Sequence, residues 1–165
     1  MLIYNQGVII MKVIGKNGVG SILKVILQLS MVLGIVFLIS LYWIVKSVKL
    51  NFNWFTACIY PCGISFLILV YQFIGLFNSL KESNPFCKEN PKRMNIGMIA
   101  SFITCIFIII ALLLTIFVYD IYTLELKVAL TFIAILFFGV SIALYILKEL
   151  FIEAINYKEE NELTI

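Results

Sequence analysis

The sequence predicts an all-α integral membrane protein, an up-down bundle of four transmembrane helices forming a single domain over residues 1–165. Three observations carry that prediction. The chain is 63% apolar and only 13% charged, against roughly half and a quarter in soluble domains, so a soluble fold of this size would expose long apolar patches. Four uncharged stretches, at about 25–45, 54–80, 96–119 and 128–147, each reach the roughly 20 residues a helix needs to cross about 30 Å of hydrocarbon. The connections between them are short, which makes successive helices antiparallel neighbours.

Each stretch must be helical, because in hydrocarbon every backbone N–H and C=O has to be satisfied within its own segment. The third is the clearest: fifteen of its positions are Ile, Leu, Phe or Val, which favours insertion by on the order of 5–9 kcal/mol. None of the four shows the polar face of a soluble amphipathic helix. Ser30/Gly34 and Gly139/Ala143, small residues four apart, permit close helix approach.

Orientation follows from the basic residues in the connections. Lys12, Lys16 and Lys24 precede the first span, Lys81, Lys88, Lys92 and Arg93 separate the second from the third, and Lys148 and Lys158 follow the fourth. Lys46, Lys49 and Lys127 fall on the opposite side. Both termini are therefore expected in the cytoplasm. Trp43 and Trp54 flank the first outer loop, and Tyr119 and Tyr122 the second, as interfacial aromatics do. Residues 1–10 hold no basic residue and show no signal-peptide pattern, and Met11 is as good a start as Met1.

The residue types bound the chemistry. There is no histidine, so the commonest general base and metal ligand is missing. No Asp, Glu, Lys or Arg interrupts the spans, which argues against coupled ion transport. The amides Gln28, Gln72 and Asn78 are best read as interhelical hydrogen-bond partners, with a polar pathway as the sharper alternative. Cys58 and Cys62 flank Pro61; packing beside a proline is the plainer reading, and redox sensing or soft-metal binding the bolder one. Cys87 in the loop stands beside Lys88, a weak signal of a reactive thiol. The Gly15–Ser21 stretch lacks the order of a phosphate loop and reads as a lead-in capped by Ser21. No catalytic set, cofactor site or metal site can be assembled, so no enzyme is expected.

Two segments facing the cytoplasm remain. The loop at 81–95 contains Asn84-Pro85-Phe86 and Glu89-Asn90-Pro91, and each Asn-Pro suits the cap and first position of a helix. A short cytoplasmic helix leading into the third span is expected there. Its Lys92 and Arg93 satisfy charge placement, and anionic lipid is the alternative contact. The tail at 148–165 is acidic, with Glu149, Glu153, Glu159, Glu160 and Glu162 against Lys148 and Lys158, and ends Leu163-Thr164-Ile165. It is open between a solvated tail, a lock onto Lys88, Lys92 and Arg93, and a peptide that docks a partner.

These same segments carry a resemblance. Asn84-Pro85-Phe86, Glu89-Asn90, Lys92-Arg93-Met94 and Ile96-Gly97, with the closing Glu159-Glu160-Asn161-Glu162-Leu163-Thr164-Ile165, resemble the signature of a bacterial membrane family known only as domain-of-unknown-function family 2975. Pro91 departs from it, standing where Ala or another helix former is expected. The resemblance implies four spans in a bacterial inner membrane and no established activity. It also implies, by gene association, a small helix-turn-helix DNA-binding regulator as partner, with no direct contact to nucleic acid. The residues expected to dock that partner are Asn84, Pro85, Phe86, Glu89, Asn90, Lys92, Arg93, Glu160, Asn161, Leu163 and Thr164. The function expected is thus non-enzymatic and regulatory, in a bilayer and open to homo-oligomerisation. A membrane immunity protein and a small transporter or channel subunit are the alternatives.

Overall fold

The computed structural model describes residues 19–47, 53–81, 87–117 and 124–163. They form four helices: α1 (Val19–Ser47), α2 (Asn53–Lys81), α3 (Glu89–Phe117) and α4 (Leu124–Leu163). Each contains a segment long and apolar enough to cross a membrane. Hydrocarbon side chains such as Ile26, Val36, Ile109, Phe132 and Ile135 stand outward along them, which only an apolar surrounding tolerates over so wide a surface.

The observed helices overrun the apolar stretches at several ends. At a rise of 1.5 Å per residue, the 40 residues of α4 are about 60 Å long, twice the hydrocarbon thickness. The acidic segment at 148–163 is therefore a continuation of the last helix. Similarly, residues 89–95 are the first two turns of α3, and no separate short helix stands among residues 87–95. The helix continues through this segment because Pro91 falls in the first turn, where a residue without an N–H breaks no helical hydrogen bond.

Successive helices pack antiparallel, as the pairings show. Gly34 lies against Leu67 and Gly63 against Leu38 between α1 and α2. Cys62 meets the backbone of Thr104 between α2 and α3. Between α3 and α4, Cys105 meets Ala134 and Ser141 meets Met98. The core belongs to α2, α3 and α4. Leu69, Ala100 and Leu144 form one cluster with Phe73, Met98, Phe137 and Val140. A second cluster, nearer the α1–α2 and α3–α4 connections, joins Cys105, Ile108 and Ala134 to Cys62, Leu130 and Phe137. Within the four helices, α2, α3 and α4 make a three-helix core, with α1 docked principally on α2.

α3 is central because its inward face is small. Gly97, Ala100, Ser101, Thr104, Cys105 and Ala111 are all buried on it, and small faces let helix backbones approach where no hydrophobic force drives them together. The hydroxyls on this face are largely spent on the backbone: Thr104 donates to the Ala100 carbonyl at 3.0 Å and Thr115 to Leu112 at 2.7 Å. By contrast, Gly139 and Ala143 on α4 face outward, and nothing lies within 4 Å of a side chain built at Gly139. That pair takes no part in packing among the described residues.

Ser101 is fully buried, and its Oγ finds no hydrogen-bond partner among the described residues. Ser101→Ala should therefore hold or raise stability, by up to about 1 kcal/mol, since it removes an unmet polar group. Ser101→Leu should lower it by about 1–3 kcal/mol through overpacking. Thermal unfolding of the detergent-solubilised protein distinguishes the two signs.

Candidate functional site

The antiparallel packing collects the start of α1, the end of α2, the start of α3 and the extension of α4 at one end of the molecule. Most of the chain's charge lies there. The site begins at Cys87, whose carbonyl accepts a hydrogen bond from the Asn90 N–H at 3.1 Å, turning the chain into α3. Glu89 stands in the first turn, where a carboxylate complements the positive end of the helix dipole. Asn90 is inside that turn rather than capping it, and with 1% exposure it is held in the core. Pro91 and Met94 are buried beside it on the same face.

Arg93 turns toward α2. Its guanidinium donates to Glu89 at 3.3 Å, one turn back, and its side chain lies flat over Gly75, occupying the space a Cβ there would take. Gly75 is thus the residue that lets a charged side chain cross the α2–α3 seam. Ser79 hydrogen-bonds to the Gly75 carbonyl at 3.3 Å, on the same turn of α2.

The extension of α4 closes onto the start of α3. Lys88 and Glu159, 71 positions apart in sequence, form an ion pair at 2.8 Å. Glu159 raises the Lys88 pKa above its ordinary 10.5, first through the hydrogen bond and then through its charge. The pair is solvent-exposed, and exposed pairs add little to stability. What it fixes is direction. The apolar anchor is Ile155, buried one turn before it on α4. Lower on the same helix Lys148 is largely covered, pairs with Glu149 at 3.0 Å and lies 5.0 Å from the Tyr145 ring.

The residues expected to dock a partner are thus distributed unevenly. Glu89, Lys92 and Glu160 are exposed, Arg93 is half-buried in the α2–α3 seam and Asn90 is interior. Asn161 and Leu163 are in the last turn of α4. Asn84, Pro85, Phe86 and Thr164 lie outside the described residues. Gly75 and Ile155 were not legible as site residues, because neither is polar and their roles arise from helices distant in sequence. Lys88 and Glu159 were visible as charges, and their pairing follows the lock onto the loop that was one of the three readings open for the tail.

The spans hold less chemistry. Among the described residues no three His, Cys, Asp or Glu side chains stand together as metal ligands, and Cys58, Cys62, Cys87 and Cys105 are free thiols. Cys62 and Cys105 donate to backbone carbonyls of neighbouring helices at 3.8 Å and 3.5 Å, which suits a packing role. A family model described as a protein of unknown function (DUF2975) matches residues 20–165. No curated protein and no solved structure matches the chain.

Two linked outcomes test the geometry. The Lys88 ammonium, observed by NMR after reductive methylation, should titrate above 10.5 and return toward that value in Glu159→Gln. Because the folded pKa is raised, the pair's contribution is present at and below pH 10.5 and lost as pH climbs past the raised value. Lys88→Glu or Glu159→Lys alone should speed amide exchange over residues 155–160 several-fold, and the double reversal should restore protection.

Proposed function

The chain belongs to the DUF2975 family of proteins of unknown function, and from that premise we propose that it is a non-enzymatic regulatory membrane protein that docks a cytoplasmic protein on its charged end. In this reading it resides in the bacterial cytoplasmic membrane with both termini inside, as the excess of Lys and Arg at that end favours.

The observation that carries the reading is the Lys88–Glu159 pair. It joins two segments, far apart in sequence, into one composite surface. One side is basic, with Lys92 exposed beside Lys88. The other is an acidic helix with Glu153, Glu159 and Glu160 outward and Tyr157 well exposed among them. A rigid helix projecting about 24 Å past Leu147 gives a partner an ordered ledge, because its sixteen residues are already helical before binding. Preorganisation lowers the ordering cost of association. The absence of histidine, and of Asp, Glu, Lys and Arg within the apolar stretches, favours this reading over catalysis or ion-coupled transport. The small helix-turn-helix regulator implied by the family resemblance is the first partner to seek.

The test is co-purification from native membranes in mild detergent with mass spectrometry, comparing the full chain with one ending at Tyr157. A small DNA-binding protein recovered with the full chain, and lost on truncation or on combined Glu160→Ala, Asn161→Ala and Leu163→Ala, supports the reading. Recovery unaffected by these changes removes the tail from the site. No partner with either chain defeats the docking reading.

A further inference from the structure

We propose that the cavity between α1 and the three-helix core is a binding site for one hydrocarbon chain of a bilayer lipid. Its volume is about 540 Å³, within the roughly 300–1,000 Å³ typical of ligand sites, which in helical proteins lie between helices. Residues 30–38 of α1, 58–66 of α2, 104–111 of α3 and 130–137 of α4 supply its walls. All of these lie within the uncharged stretches of the helices, between the Lys88 end and the opposite end with Lys46, Glu125 and Lys127.

The cavity exists because α1 touches α2 without closing on α4. Gly34 packs against Leu67 and Gly63 against Leu38, seating α1 on α2. The facing walls then fall short of one another, since Ser30, Thr104 and Ala111 are too small to bridge them. Phe66 and Phe137 are the lining residues of α2 and α4 nearest the charged end. Their rings meet edge to face at 6.3 Å and form the floor. Leu33, Phe37 and Ile133 border the gap between α1 and α4 and are exposed. In a chain that spans a membrane these side chains touch lipid, so lipid is what stands at the mouth.

The lining favours hydrocarbon because its few polar groups have almost no donor left to offer. The Ser30 hydroxyl donates to the Leu27 carbonyl at 2.8 Å, and Thr104 to Ala100 at 3.0 Å. The Cys62 thiol is directed to the Thr104 carbonyl. Each spends its proton on the protein's own backbone, and the Cys58 thiol is only a weak donor. A charged or polar ligand would be desolvated here without compensation. Water needs two to four polar partners and stays out of apolar cavities. An acyl chain has no polar group to leave unmet on entry, and it fills contacts the gap otherwise forfeits.

This inference needs only that the helices cross a membrane, so it stands or falls separately from the cytoplasmic docking reading. The full chain is reconstituted in phosphatidylcholine vesicles containing a small fraction of phosphatidylcholine with a diazirine on its acyl chain. After illumination, modified residues are mapped by mass spectrometry. Label is expected at Thr104 and Ile108, which are buried from lipid on the outer surface, as well as at exposed Phe132 and Ile135. Ala111→Phe, or Ser30→Phe filling the gap from α1, should cut label at Thr104 and Ile108 roughly ten-fold or more by occupying the space. Label at Phe132 and Ile135 should be unchanged. Absence of label at both buried positions in the unmodified chain overturns the proposal, as does label that neither substitution reduces. Loss of label on adding a little free long-chain alcohol, but not extra phosphatidylcholine, would assign the site to a free apolar molecule and also overturn it.

Discussion

The fold depends on how closely α2 and α4 can approach α3 without help from water. In a bilayer the surroundings are as apolar as the side chains, so burying leucine against leucine gains little, and association rests on contact between close surfaces. The face of α3 from Gly97 through Ala100, Ser101, Thr104 and Ala111 supplies that closeness. Leu69 and Leu144 reach it from opposite sides and meet at Ala100. A residue the size of leucine at Ala100 would part both neighbours at once. The central place of α3 thus follows from subtraction of volume, and its oily outer face, with Ile99, Ile103, Ile106 and Ile110, is left to the lipid.

The same close packing governs the charged end. With α3 and α4 in register through the membrane, their continuations emerge side by side, and Lys88 meets Glu159 because the helices have already brought them there. Ile155 and Asn90 are buried at this level, so the extension of α4 is anchored by packing, with the ion pair setting its heading. Arg93 is directed differently. Its path over Gly75 ties α3 to α2 and keeps its charge with Glu89, leaving Lys92 as the exposed basic side chain of that turn. The three cations that look equivalent in the sequence therefore have three different surroundings.

How much was legible divides along the same line between composition and geometry. The four apolar stretches mark helices because hydropathy measures what a bilayer measures, and α1 and α2 run to within a few residues of the stretches at the ends that face their shared connection. Hydropathy marks where a helix leaves the hydrocarbon, not where it stops being helical, which is why residues 89–95 read as a separate short helix and the long continuation of α4 as a tail. Glu and Lys are good helix formers, and that propensity in 148–163 was the available signal for a continuous helix. Spacing of small residues was an ambiguous guide. Gly34 does mediate packing, and Gly139 does not, because a pair four apart fixes a helical face without saying what stands opposite. The candidate site was visible as charges on one side of the membrane, while Gly75 and Ile155 required the helix pairings to be known.

The position of α1 is the last consequence. Its contact with the core is a narrow seam through Gly34 and Gly63, and it lies away from the small face of α3 that draws the other helices together. Most of its length is left to lipid, including Leu29, Val32 and Val36. A helix attached along one seam encloses space on one side of that seam. The cavity beside Thr104 and Ile108 is therefore a product of the packing that makes α3 central: α2 and α4 satisfy its small face, and α1 stands one helix away. The molecule is dense where α3 and α4 lead into the charged end and open toward the opposite end. These two regions can answer to different partners, one presented to the aqueous phase and one to the bilayer.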